Sequence, residues 1–518
     1  LQLDWSIDAI LPKLEGIGQQ LKTPICIFVA AINESGYKQI WMTGLSRLIN
    51  QISDLEYVRL AISVRSGYEK LVFDNSLQEK IKNSEIASMV HTGFQEESVR
   101  ATREFLNYYG IPFLPSYFLQ TEMTNPLFLK LFCENYDGEE VDLFTLFDKV
   151  IRKSDEEAQQ AAGLEYSTNL LKYLLNQIAE IRLEKGSLSI TKEALFNLPF
   201  WNTYGLQEKK VPFVVSLERS GMLITTVYED EDEEIYYIGY NLLKDFLCAK
   251  QLINRKLGKD ELVNYLKKDL LGVTNGAISK YENQDIFIVA CGLYAEKYGE
   301  ECINPIVDCI EDEHDFDDLV RSFIMSFRWR KSKSIDGSSF MDLARNLRAD
   351  PEILFRVLIE CSTKKGHPLN ADMLHSVLLP MRLSQRDYVW TIYINGLSYD
   401  EERVFQLIDQ FHHGDMLDGL SEDNTHLLLI LFTWLLTSSN RHLRDIASKG
   451  SIELLKNKFS LCLPLLQKFE TVNDPYVIQR LFGVIFGACM KRVNKERGHF
   501  RELVDHIYQT IFNQDNVY

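Results

Sequence analysis

Apolar and polar positions alternate along this chain in two distinct rhythms. From Ile7 to Leu21 apolar residues recur at helical spacing, and Tyr37–Ile52 repeats the pattern. Between them, Pro24-Ile-Cys-Ile-Phe-Val-Ala-Ala-Ile-Asn-Glu is a continuous apolar run ending in polar residues. A run of this kind predicts a fully buried parallel strand. Val58-Arg-Leu-Ala-Ile-Ser-Val-Arg predicts a second. Strand, helix, strand in this order implies a βαβ unit of a doubly wound sheet, in which ligands bind at the carboxyl ends of the strands.

Past residue 115 the strand rhythm fades. Asn125–Cys133 and Tyr166–Leu183 read as helices. Two further helices, Thr191–Leu198 and Val211–Ser220, lead to Gly221-Met-Leu-Ile-Thr-Thr-Val-Tyr, an acidic turn and Ile235-Tyr-Tyr-Ile-Gly-Tyr. Two helices followed by two strands with a polar tip, then a helix over Leu242–Asn254, predict a winged helix. Residues 260–518 read as helical throughout. They lack a strict fixed-length repeat, but the polar clusters between apolar helices suggest a HEAT- or TPR-like stack. The expected fold is therefore mainly α, with a partial α/β core at 1–115, a helical domain at 116–185, a winged helix at 186–258 and an α-solenoid at 259–518.

Composition narrows this picture only a little. The chain has 518 residues, 46% hydrophobic and 25% charged, as expected for several globular domains. No apolar run reaches the ~18–20 residues of a membrane span, and the N-terminus has no signal-peptide pattern. Nine cysteines without a C-x-x-C pair read as buried reduced thiols of a cytoplasmic protein. The net charge of −18 argues against direct nucleic-acid binding and against a DNA-reading wing, since Glu229–Glu234 would repel phosphate.

The strand ends carry the candidate chemistry. Glu34, after Asn33, stands where an acid could orient an attacking water, and Arg65 stands where a guanidinium could pair with a phosphate oxygen. Taken singly, each also reads as a solvated or locally paired charge. Across residues 24–250 the motifs fall into an order that resembles STAND-type (NACHT-like) P-loop NTPases. IFVAAINESG resembles the Walker B strand, ISVRSGYE the following sensor strand, and TEMTNPLFLKLFCE the segment whose proline, here Pro126, packs near adenine. YIGYNLLKDFLCAKQL resembles the end of the winged helix, with Tyr240 in place of the histidine that senses the β-phosphate and Asp245 in place of a glutamate. Ser384–Thr391, Trp434–Asp445 and Val472–Leu481 resemble segments of bacterial antiviral STAND proteins (the Avs group). There Arg386/Asp387, Arg444/Asp445 and Asp474/Arg480 are expected to form an Arg–Asp ladder that joins successive HEAT-like repeats.

By that resemblance the protein is a defence switch using ATP or ADP and Mg²⁺. C-terminal repeats would sense a phage protein such as a terminase or portal, and self-association would activate an N-terminal effector, commonly a nuclease. Two departures stand out. No G-x-x-x-x-G-K-[ST] loop occurs, so the chain is expected to be a piece that begins downstream of it. The Walker B metal position is Ala30, which cannot hold Mg²⁺, so little or no hydrolysis is expected. The alternative is a degenerate core that binds no nucleotide and serves as an interaction scaffold.

Other clusters read as structural. His412-His413 and Glu311–His314 lack the spacing of a helix-borne zinc pair, and no metal site is expected. Phe327-Arg-Trp-Arg-Lys reads as a snorkelling helix face, with a base-stacking or partner-binding patch as the alternative.

Overall fold

The structure, a computed structural model, describes residues 7–513 apart from 31, 33–37, 65–72, 92, 95–96, 113–114, 137–142, 166–168, 187–188, 228–233, 398–402, 413–418 and 493–496. The chain is mainly helical, with five short strands in two small sheets among the described residues. It divides into two units, Leu1–Thr92 with Asp148–Gln251, and Gly93–Phe147 with Leu252–Tyr518.

In the first unit, β1 (Ile25–Val29) pairs in parallel with β2 (Val58–Ile62), Ile25 opposite Val58. The helices Ile7–Leu21 and Lys38–Ser53 both pack on one face of this pair. Leu11, Ile52 and Val58 form a core with Ile27, Leu48 and Leu60 around them. Gly18 permits the close approach of the first helix, because a Cβ there would lie 2.7 Å from the Tyr57 Cβ. Glu15 fixes the same junction by accepting the Glu56 and Tyr57 amides at 3.1 and 2.9 Å.

The expectation of two fully buried strands is corrected. The other face of the pair is bare, with Cys26, Phe28, Ala30, Arg59 and Ala61 exposed and Phe28 77% so. The physical reason is that both flanking helices lie on the same side. Burial therefore alternates along a run whose sequence does not.

The second sheet has the order β3-β5-β4, where β3 is Ile190–Thr191, β4 Leu223–Val227 and β5 Glu234–Ile238. β4 and β5 are antiparallel, Leu223 opposite Ile238, and the short β3, not anticipated from the sequence, adds to the other edge of β5. Helices Lys192–Phe196, Pro199–Thr203 and Lys210–Arg219 precede the hairpin. Their core is aromatic: Phe200, Trp201 and Phe213 are fully buried, and the Trp201 indole donates to the Leu195 carbonyl at 2.7 Å. Gly239 ends β5 against the Gly221 carbonyl, where a Cβ would lie only 1.9 Å away. The acidic tip at 228–233 lies outside the described residues, but Glu234 pairs with Lys192 at 2.6 Å.

The second unit is built of helices capped by their own sequence. Asp350 and Asp474 cap helices that begin at Pro351 and Pro475, where proline has no amide to leave unbonded. Three tryptophan-centred contacts tie helices of this unit together across intervening ones: the Trp390 indole donates to the Trp434 carbonyl at 3.2 Å, and the Trp434 indole donates to His375 Nδ1 at 3.2 Å and packs on Phe469. The Arg–Asp ladder has different rungs from those expected. Arg386 reaches Asn473 at 2.9 Å and Asp474 at 3.5 Å, and Arg480 reaches Asp445 at 3.4 Å. Asp387 instead accepts from Thr391, and Arg444 donates to the Ser438 carbonyl. Sequence neighbours on a helix point to different faces, so Arg386 and Arg480 pair across helices while Asp387 and Arg444 bond locally.

Candidate functional site

The sequence points to the carboxyl ends of β1 and β2, and the structure brings these ends side by side. The Ser63 amide donates to the Val29 carbonyl at 3.0 Å, and the Ile32 amide donates back to Ser63 at 3.2 Å. Ala30 is an exposed methyl at this edge. Asn33, Glu34 and Arg65, the residues expected to carry the chemistry, lie outside the described residues.

Pro126, in the second unit, is the first residue of the helix Pro126–Asn135. Asn125 caps it by accepting the Leu127 and Phe128 amides. Tyr240, half-buried, follows β5, and its carbonyl accepts the first turn of the helix Asn241–Asn254. Asp245 on that helix is buried beside Lys244, 3.5 Å away.

A different constellation, in the second unit, was not foreseen. Phe327–Lys331 is not a snorkelling face. Arg328–Lys331 form part of the wall of a cleft of about 240 Å³. The 3₁₀ turn Ser326–Arg328 ends the helix Glu313–Met325 and turns these side chains inward. Arg328, its side chain 8% exposed, lies between Glu122 at 3.3 Å and Glu360. The Trp329 indole donates to the same Glu122 at 3.2 Å. Arg330, fully buried, pairs with Glu301 and lies over the Phe327 ring at 3.7 Å. Arg403 is buried against the same carboxylates and donates from Nε to the Phe118 carbonyl. Its two Nη groups meet no hydrogen-bond partner among the described residues.

The electrostatics follow from burial. Desolvation raises Glu360 to about 6, against the pull of Arg328. Desolvation lowers Arg403 to about 10, while Glu122 and Glu360 oppose the fall. For Arg328 the two carboxylates outweigh desolvation and hold it above its ordinary value. His367, at the edge of the cleft, is lowered to about 3 by burial and by Lys364, so it is neutral. Its Nδ1 accepts the Leu369 amide at 3.1 Å, which leaves the proton on Nε2.

Neither Glu122 nor Glu360 carries a sequence signal. They come from segments more than 200 residues apart, and only packing joins them. Among the described residues no group of His, Cys, Asp or Glu is arranged to hold a metal, and no helix is long and apolar enough to cross a membrane. All nine cysteines are free. Cys26 and Cys309 are exposed and Cys489 is half-buried, so the expectation of buried thiols is corrected at the first two. Cys26 is on the bare face of β1, where the covering helices do not reach. Comparison with protein-family models and with curated proteins finds no match.

Proposed function

We propose that this chain is the regulatory portion of a nucleotide-controlled STAND-type switch in bacterial antiphage defence. The carrying observation is the parallel β1–β2 pair, whose carboxyl ends abut just before Glu34 and Arg65. Nucleotides bind at such ends in doubly wound sheets. Arg65 would read a phosphate and Glu34 would orient water. The three-stranded sheet and its preceding helices serve as the winged helix, with Tyr240 reporting on nucleotide from its edge. The helical second unit supplies an α-solenoid sensor for a terminase- or portal-like phage protein. Sensing would license ATP-dependent self-association and activation of an effector. The bare apolar face of β1 supports the reading, since a doubly wound core carries a layer on both faces.

The expected metal position fits poorly. Ala30 offers a methyl group and no side-chain oxygen, so it cannot supply the carboxylate that would hold Mg²⁺ there. Nucleotide binding with little turnover follows. Ala30 also favours a second reading, an interaction scaffold that binds no nucleotide. Equilibrium binding of ATP and ADP to the protein separates the two. Saturable binding that Arg65→Ala weakens about tenfold supports the switch. The absence of binding at millimolar nucleotide sinks it in favour of the scaffold.

A further inference from the structure

The cleft beside Phe327–Lys331 is more basic than the chain around it. Its walls carry Arg328, Arg330, Lys331, Lys364 and Lys365 against two carboxylates, Glu122 and Glu360, in a chain of net charge −18. Those two carboxylates are already committed to buried arginines: Arg328 bonds both, and Arg403 lies close enough to feel both. Arg330, Lys331 and Lys365 have partners in Glu301, Glu296 and Asp423, none of which lines the cleft. Lys364 differs. Its ammonium donates to the Arg328 carbonyl at 3.2 Å and forms no ion pair among the described residues, so two of its three N–H groups remain to be used.

A second observation is independent of charge. His367, 5% exposed, lines the same cleft, and its Nε2 has no hydrogen-bond partner among the described residues. With Nδ1 accepting the Leu369 amide, that nitrogen is a donor. A buried donor without a partner costs about 1–3 kcal/mol, so an acceptor that reached Nε2 would recover that cost. Behind these donors the floor is aromatic and apolar, with Tyr117, Met123, Phe128 and Phe132.

We propose that this cleft binds a small phosphorylated molecule, its phosphoryl oxygens accepting from Lys364 and from His367 Nε2, with Lys365 and Lys331 at the rim. A phosphoryl group suits the arrangement because it presents several acceptor oxygens to donors converging from different sides. The volume of about 240 Å³ lies below the ~300–1,000 Å³ of drug-sized pockets, which limits the ligand to a phosphate with a body about the size of a sugar. The inference does not rest on the STAND reading, since none of its residues belongs to the β1–β2 edge.

The test is calorimetric titration of the full chain with inorganic phosphate, ribose 5-phosphate and succinate. Ribose 5-phosphate is expected to bind saturably, phosphate more weakly and succinate weakest. Lys364→Ala is expected to weaken ribose 5-phosphate by about tenfold or more with an unchanged melting temperature, and Lys365→Ala by a smaller factor. Arg65→Ala, which tests the β1–β2 edge, is expected to leave this binding unchanged. The proposal is overturned if no phosphorylated probe binds saturably below about 10 mM. It is equally overturned if succinate competes on equal terms, or if both lysine variants bind as the parent does.

Discussion

A buried histidine contributes stability in only one protonation state. His367 is neutral when folded, held at about 3 by desolvation and Lys364, whereas an unfolded histidine titrates near 6.5. The unfolded chain therefore binds the extra proton as pH falls below 6.5, and the stability present above that value is lost progressively down to about 3. The slope is about 1.4 kcal/mol per pH unit. His375, at about 4, and His426 act in the same direction, both through desolvation. Glu360 acts oppositely. Raised to about 6, it favours folding as pH falls from about 6 to 4.5. His367→Asn separates these contributions, because an Asn oxygen can accept the Leu369 amide in the same i+2 geometry without titrating. Between pH 6.5 and 5.0 the parent protein should lose about 2 kcal/mol more than the variant, read from denaturant unfolding at each pH. Parallel profiles would show that His367 is solvated when folded.

Between helices, a pair is not symmetric in what each partner holds. Arg386 is fully buried, stacked near Trp434 at 5.4 Å, and bonded to Asn473 and Asp474. Asp474 does a second job: it caps the helix Pro475–Lys491 by accepting the Tyr476 and Val477 amides. Arg386→Met leaves Asp474 those two amides and replaces a buried charge with an apolar chain, a loss of about 1–2 kcal/mol. Asp474→Ala removes the cap and strands a buried guanidinium, a loss of about 3–5 kcal/mol. In chemical denaturation the aspartate variant should be the weaker one, and the double variant should cost less than the two single losses together. The opposite order would place the charge pair outside the helix junction.

Elements of this kind were partly legible in advance. Helix positions such as Ile7–Leu21 follow from apolar spacing alone, and the residue types Arg386, Asp474, Arg480 and Asp445 signalled cross-helix pairing. The partners were not legible, because helix phase and the turns between helices decide which charges meet. The cleft was missed for the same reason. Phe327–Lys331 reads as a surface face until Glu122 and Glu360 are packed against it from distant segments.

On the scale of the whole molecule, the sharpest difference between sequence and structure is the bare face of β1 and β2. A continuous apolar run argues for burial on both sides, yet Phe28 is 77% exposed and Cys26 is an exposed thiol beside it. The two accounts predict different energetics. If the face is bare in solution, Phe28→Ser changes stability by no more than about 0.5 kcal/mol, the range of surface substitutions. It should also reduce concentration-dependent association in sedimentation velocity, since a flat apolar patch is removed from a protein otherwise kept apart by its charge of −18. Cys26 should then react with a thiol reagent under native conditions at a rate like that of Cys309. Cys133, Cys248, Cys291, Cys302, Cys361 and Cys462 should wait for unfolding. If a layer covers the face in solution, Phe28→Ser costs about 3 kcal/mol or more, as for a buried aromatic, and Cys26 becomes slow. Measuring the substitution together with the Cys26 rate therefore tests whether this face of β1 is open in solution. A large cost with a slow Cys26 would mean that the face is covered in solution.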